Sequence, residues 1–260
     1  VSRTRGVGSH GPHPVAVHLS AGRGRVKLAV LSDIHGNLPA LQAVARELAS
    51  VPGLQHVLVG GDLCFGGLEP AQCLDFVRDH GYAAILGNTD AILAEAARDP
   101  ESQDADELLA WTLAQLSDDH LLYLADLPFH LRMVPEEGQD LYLVHATPWS
   151  VEEPVPPDAP EEVVHRIFEE AGARLVVYGH VHKQYRRSWR DRLLVNPGSV
   201  GFPLDGDPRP AYAVFIWDGT WHVEMRRVSQ GYDPEQVALR YRSAHPCGEV
   251  WAERIRTGRP

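Results

Sequence analysis

Residues Leu31 to Leu38 read LSDIHGNL. An apolar run, VKLAVLS from Val26 to Ser32, leads into this stretch, and LPALQAVARELASV, with apolar residues at helical spacing, leaves it. The run is short and β-branched at several positions, as expected of a strand buried on both faces. Pro39 stands where the first turn of a helix tolerates proline, since the N–H it lacks has no partner there. Asp33 and His35 therefore lie where a buried strand runs out and a helix begins.

The alternation continues downstream. HVLVGGD reads as a strand, EPAQCLDFVRDHG as a helix closed by Gly81, and AAILGNTD as a strand, a βαβαβ pattern whose natural pairing is parallel. Amphipathic spacing predicts helices from Ala91 to about Asp126. FHLRMV, a turn at PEEGQD and LYLVHA predict an antiparallel hairpin, and EEVVHRIFEEAGA followed by RLVVYGH predicts a helix and a strand. RLLVNPGSV, AYAVFIWDG and TWHVEMRRV are strand-rich, with Asp218-Gly219 as a hairpin turn, and a helix from about Asp233 to Ala244 ends the ordered fold. The expected organisation is a flexible N-terminal extension over 1–25, one domain over 26–245 and a C-terminal tail over 246–260.

Composition narrows the function classes. The 260 residues are 44% apolar and 23% charged, which suits an ordinary globular protein with one well-filled core. A formal net charge of -11 argues against a general nucleic-acid or anionic-membrane surface, because phosphate binding on that scale needs a basic face. No apolar run approaches the roughly 20 residues needed to span a bilayer. Cys64, Cys73 and Cys247 are odd in number and lack metal-type spacing, so a reducing, cytoplasmic setting fits better than a disulfide framework. Nothing in the sequence points to an oligomeric state.

The chemistry-bearing residues share one position. Asp33 and His35, Asp62, Asn88, His145, and His180 with His182 each follow a predicted strand. Ligands of open α/β sheets bind outside the carboxyl ends of the strands, so these side chains can converge there. Each alone has a plain alternative: Asp33 as a helix cap, His35 as a turn residue, Asp62 as a turn acid, Asn88 as an Asx-turn. Together they supply imidazole nitrogen and oxygen donors without thiolate, a set suited to Zn, Mn, Fe, Ni or Co. Seven donors exceed the needs of one ion; two ions sharing a bridging carboxylate would use them, the arrangement that clamps both oxygens of a phosphoryl transfer.

Asp-x-His at Asp33 and His35, Gly-Asp at Gly61 and Asp62, Gly-Asn at Gly87 and Asn88, His145, and Gly-His-x-His from Gly179 to His182 occur in the order found in the calcineurin-like metallophosphoesterases. The resemblance runs from about Val26 to Val228, and SDIHGN, GHVH and NPGSVG look most like the small prokaryotic phosphodiesterase branch. It implies an α/β (α+β) fold, a four-layer αββα sandwich of two mixed sheets flanked by helices. It also implies a dimetal phosphoesterase acting on a small phosphorylated substrate through a metal-bridging hydroxide. Carried over by position, Asp33, His35, Asp62 and His182 would hold one divalent ion, and Asp62, Asn88, His145 and His180 the other. Asp62, Asn88 and His145 would be the catalytic members among them. The loop NPGSVG would bring Asn196 and Ser199 to the ligands or the phosphate, and Trp149, in the irregular segment after His145, is a candidate for stacking on the substrate.

Two departures limit that transfer. Many family members carry a histidine after Gly-Asn that protonates the leaving group, whereas this chain has Thr89. GDLCFGG also lacks the arginine with which the Ser/Thr protein phosphatases grip phosphate. A retired fold serving as an interaction scaffold is the competing reading; retirement erodes ligands, and none is eroded here.

Overall fold

The computed structural model describes residues 25–98 and 106–260. β1 (Val26–Leu31), β2 (His56–Val59) and β3 (Ala83–Ala84) pair in parallel, and β9 (Ala211–Trp217) and β10 (Trp221–Arg227) extend the sheet antiparallel from β1. The order in this first sheet is β10-β9-β1-β2-β3. The second sheet runs β4-β5-β6-β8-β7, with β5 (Leu141–Val144), β6 (Leu175–Tyr178) and β8 (Arg192–Pro197) parallel, and β4 (His130–Met133) and β7 (Gln184–Trp189) antiparallel at its edges.

Period-two alternation divides each strand between two apolar layers. Leu28 and Val30 of β1 face the second sheet, where they meet Leu141, Leu143, Val177 and Val195. Ala29 and Leu31 point the other way, against α1 (Leu38–Ala49) and α2 (Pro70–Asp79). On the far side Tyr142, Val176 and Tyr178 pack on α6 (Glu161–Ala171). Both sheets are thus covered by helices outside and by each other inside, the four-layer sandwich expected from the resemblance.

Helices α3 (Asn88–Ala96), α4 (Glu107–Leu113) and α5 (Asp118–Ala125) stand in the expected helical middle, of which 99–105 lie outside the described residues. The expected hairpins form: His130 pairs with Val144, and Ala213 with Met225. Three expectations are corrected. The strand read from AAILGNTD shrinks to Ala83–Ala84, because Asn88 already opens α3. β7 is a strand that the sequence does not announce: QYRRSW is too polar to show strand alternation, and it forms by pairing with β8. The ordered fold does not end with α7 (Pro234–Ala244): within the expected tail over 246–260, α8 (Gly248–Thr257) buries Ala252 and Ile255 against Val237, Ala238 and Tyr241 of α7. Its apolar stripe is too sparse to announce itself, and it is stable because it docks. Most of the expected N-terminal extension, 1–24, lies outside the described residues.

Candidate metal centre

The strand ends form one continuous floor. Beyond β1 and β2 the parallel ladder runs on into the loops, with Asp33 N–H donating to the Gly61 carbonyl at 3.0 Å and His35 N–H to the Asp62 carbonyl at 3.0 Å. From the second sheet, Gly179 N–H reaches the His145 carbonyl at 2.9 Å, and Gly201 N–H crosses to the Asp33 carbonyl at 3.0 Å. These bonds force unusual backbone. Asp33, His35, Asp62, His180 and His182 all have positive φ, between 47° and 66°, and Arg190 is the sixth such non-glycine among the described residues. A left-handed L-residue costs about 1–2 kcal/mol. Such strain collects where a site over-determines the chain, and here it falls on five of the seven expected donors.

Two motif glycines are explained by close approach. A Cβ at Gly87 would lie 2.2 Å from Asp62 Oδ1 and 2.3 Å from Asp62 N, and one at Gly179 would lie 2.0 Å from Ser32 Oγ and 2.6 Å from Asp33 Oδ2. Only glycine lets the third and sixth strand ends reach the first two.

All seven expected donors meet. One ligating atom from each of Asp33, His35, Asp62 and His182 lies within 4.8 Å of the others, and the same holds for Asp62, His145 and His180. Asn88 Oδ1 completes the second group, 2.9 Å from His145 Nε2 and 3.1 Å from His180 Nδ1. In the first group His35 Nε2 and His182 Nε2 are 3.1 Å apart, His182 Nε2 and Asp33 Oδ1 3.3 Å, and His35 Nε2 and Asp62 Oδ2 3.5 Å. Donors about 2.1 Å from one ion, at right to tetrahedral angles, stand about 3.0–3.4 Å from each other. The spacing is that of atoms arranged around a shared cation.

Protons support the same fit. A backbone carbonyl can only accept, so His35 Nδ1 donates to Phe65 O (3.1 Å), His182 Nδ1 to Phe202 O (2.7 Å) and His145 Nδ1 to Gly60 O (2.7 Å). Each Nε2 is then left with its lone pair turned inward. His180 is mounted the other way: Nε2 donates to Glu152 O at 3.0 Å and Nδ1 faces Asn88. The Nε2 atoms of His35 and His182 thus face each other as two lone pairs, which a proton or a metal ion must separate. Carbonyl-oriented histidines of this kind are the usual supports of metal ligands.

Electrostatics follow from burial and from the two carboxylates. Burial opposes ionisation of Asp33, yet the nearby imidazoles of His182, His145 and His35 hold it well below the ordinary carboxylate range. Burial also opposes charge on His145 and His182, but Asp62 and Asp33 outweigh it and shift both upward. For His35 and His180 burial wins and the shift is downward.

The model of the calcineurin-like phosphoesterase superfamily domain matches residues 26–219, which contain all seven donors. The chain belongs to this superfamily. It is similar to an uncharacterised protein of Methanocaldococcus jannaschii, 29% identical over 222 residues that cover 77% of this chain and 86% of that protein. It is also similar to phosphodiesterase YfcE of Escherichia coli K12, 26% identical over 193 residues covering 70% and 84%. Among solved structures, a metallophosphoesterase from Sphaerobacter thermophilus superposes with a TM-score of 0.70 at 26% identity, covering 90% of this chain and 99% of that one. The family makes the chain a metal-dependent phosphoester hydrolase.

Around the phosphoesterase centre, the remaining expected residues take other places. Asn196 donates to Gly179 O at 2.7 Å and accepts from Gly198 N–H at 2.9 Å. Ser199 donates to Asp33 O at 2.7 Å and accepts from Phe202 N–H at 2.7 Å. Both are fully buried and hold the loops that carry ligands, so of the two expected targets, ligands and phosphate, Ser199 reaches a ligand residue, Asp33, through its backbone. Trp149 is held within its own loop: its ring lies under the Arg166 guanidinium at 3.7 Å and its indole N–H goes to Glu153. Thr89 N–H donates to Asp62 Oδ1 at 3.0 Å, while its buried hydroxyl has no partner among the described residues. Sequence reasoning missed Asp90. Its carboxylate accepts the N–H groups of Asp62, Leu63 and Gly87 at 2.8–3.0 Å, and burial and the Asp62 charge push its pKa up to about 7. The available signal was an acid three residues after a glycine that opens a helix.

Proposed function

We propose that the chain is a two-metal phosphodiesterase that cleaves a small phosphorylated substrate. The observation that carries this reading is Asp62, whose two oxygens face different donor groups: Oδ2 lies 3.5 Å from His35 Nε2 and Oδ1 lies 3.5 Å from His145 Nε2. When bound, divalent ions in such a pair polarise the phosphoryl oxygens and lower the pKa of water from about 15.7 toward about 7. Mn, Fe, Zn, Ni and Co all suit this nitrogen and oxygen set, with manganese among them. Asp33, His35, Asp62 and His182 would hold one ion and Asp62, Asn88, His145 and His180 the other. The chain's own contribution is to aim the ligating nitrogen of each imidazole through a carbonyl bonded to its other nitrogen, and to place one carboxylate between the groups.

A diester is favoured over a monoester by what surrounds the donors. No Lys or Arg among the described residues bonds to a ligand side chain, and the neighbouring charges are Asp33, Asp62 and Asp90 with the imidazoles. A phosphate dianion would find no Lys or Arg tied to the donor side chains, whereas a diester carries one charge less. The similarity to a phosphodiesterase points the same way. A cytoplasmic setting belongs to the same proposal, and the buried free thiols of Cys64 and Cys73 suit it.

The test replaces Asp62 by Asn in protein loaded with manganese. Turnover of bis-p-nitrophenyl phosphate should fall by at least about 10²-fold, since one bridging charge serves both ions, and metal content should drop at both positions. Two bound ions with near-normal turnover would refute the bridging role.

A further inference from the structure

Helices α7 and α8 lie beyond the residues matched by the superfamily model, yet α8 packs on Phe202 and on Gly66, the neighbour of Phe65, whose carbonyls aim His182 and His35. The contact begins at Trp251 of α8. A Cβ at Gly66 would come within 2.5 Å of Trp251 Cη2, so the indole lies directly on the Gly66 backbone. Gly66 follows Phe65, whose carbonyl takes the His35 Nδ1 proton. The same indole packs on Phe202 with ring centroids 4.6 Å apart, and the Phe202 carbonyl takes the His182 Nδ1 proton. His245, between the two helices, donates from Nε2 to the Gly66 carbonyl at 2.9 Å, while its Nδ1 accepts the Cys247 N–H at 3.0 Å. Arg240 of α7 pairs with Glu69 at the far end of the same loop.

The second donor group has no such support. The carbonyls that aim His145 and His180 belong to Gly60 and Glu152, which lie in other loops. A displacement of α8 therefore reaches one donor group and spares the other.

We propose that the α7–α8 pair is a positioning element for the first metal ion, with Trp251 and His245 as the residues that lock the Phe65 and Phe202 carbonyls. Groups that orient ligand histidines in this way typically govern metal affinity by 10–100-fold. The inference rests on the two-ion reading above, and the experiment separates the two.

The full chain, stripped of metal, is titrated calorimetrically with Mn²⁺ as wild type, Trp251→Ala, Trp251→Phe and Ile255→Ala. Ile255 is buried between the same two helices, so its truncation removes apolar volume there and costs stability while the indole keeps its seat on Gly66 and Phe202. Wild type should bind two ions; fewer would overturn the reading of the centre itself. In Trp251→Ala one of the two dissociation constants should rise by about 10-fold or more while the other holds. Trp251→Phe should recover most of the loss, and Ile255→Ala should lower the melting temperature without moving either constant. Wild-type affinity at both sites in Trp251→Ala, or equal weakening of both, would overturn the proposal. Should Trp251→Ala fail to fold, His245→Ala, which keeps the indole, is read by the same titration against the same outcomes.

Discussion

Replacing Gly87 by Ala should disable the centre while leaving most of the fold intact. Gly87 has φ of -95° and ψ of 171°, ordinary extended backbone that alanine adopts freely, so the penalty is purely one of space. The added methyl carbon would lie 2.2 Å from Asp62 Oδ1, 2.3 Å from Asp62 N and 3.0 Å from Asp62 Cγ. Van der Waals contact needs about 3.5 Å, so the Gly87 and Asp62 segments must part by about 1 Å. Asp62 cannot yield cheaply, because its N–H is held by Asp90 and its Oδ1 by the Thr89 N–H. Overpacking of this kind costs about 1–3 kcal/mol of stability, and a 1 Å misplacement of a reacting group costs about 10²-fold in rate. The assay is kcat on bis-p-nitrophenyl phosphate at saturating Mn²⁺, with metal content and melting temperature measured on the same preparation. A folded Gly87→Ala protein with two ions and wild-type kcat would show that Asp62 does not sit where the chemistry needs it.

Metal binding should release protons near neutrality. His145 and His182, shifted above 6.5 by the carboxylates, stabilise the metal-free fold below about pH 6.5, and this contribution is lost as pH rises through their raised values; His35 and His180, shifted down, act in the opposite sense as pH falls below 6.5. The ions need all four rings neutral, so Mn²⁺ affinity should rise from pH 6 to pH 8. Calorimetry in buffers of differing ionisation enthalpy counts the protons released, and a flat affinity with no release at pH 7 contradicts the assignment. At position 89, a threonine hydroxyl donates no proton near neutral pH, so the rate should depend steeply on leaving-group pKa. Thr89→Ala should be nearly silent, and Thr89→His should speed poor leaving groups selectively, by less than the roughly 10²–10⁴-fold of an oriented acid. A shallow dependence in the native protein, or a large loss in Thr89→Ala, would reveal another route of protonation.

Seven donors were legible in the chain because each comes just after a short buried run, with one or two glycines intervening before Asp62, Asn88 and His180. LSDIHGNL is typical, since the strand, the turn and the helix that place Asp33 and His35 are all encoded within a few residues of them. The Gly-Asn and Gly-His pairs are local signatures of the same kind, and the structure supplies their cause in the missing Cβ atoms at Gly87 and Gly179. What had no local signature is whatever depends on a neighbour far along the chain. Asn196 and Ser199 are polar residues in a Pro-Gly turn, and only their burial against Gly179 and Asp33 makes them braces for the centre. That Trp149 lies under Arg166, on a separate helix, is likewise invisible in its own segment. β7 becomes a strand through its pairing with β8, and α8 becomes a helix through docking on α7 and Phe202. Residue order alone determines which chemical groups stand at the strand ends, because periodicity and glycine act over a few residues. Which nitrogen of each histidine faces inward is decided by carbonyls that packing delivers: from Phe65 to His35 thirty residues away, from Phe202 to His182, and from Gly60 to His145 eighty-five residues apart.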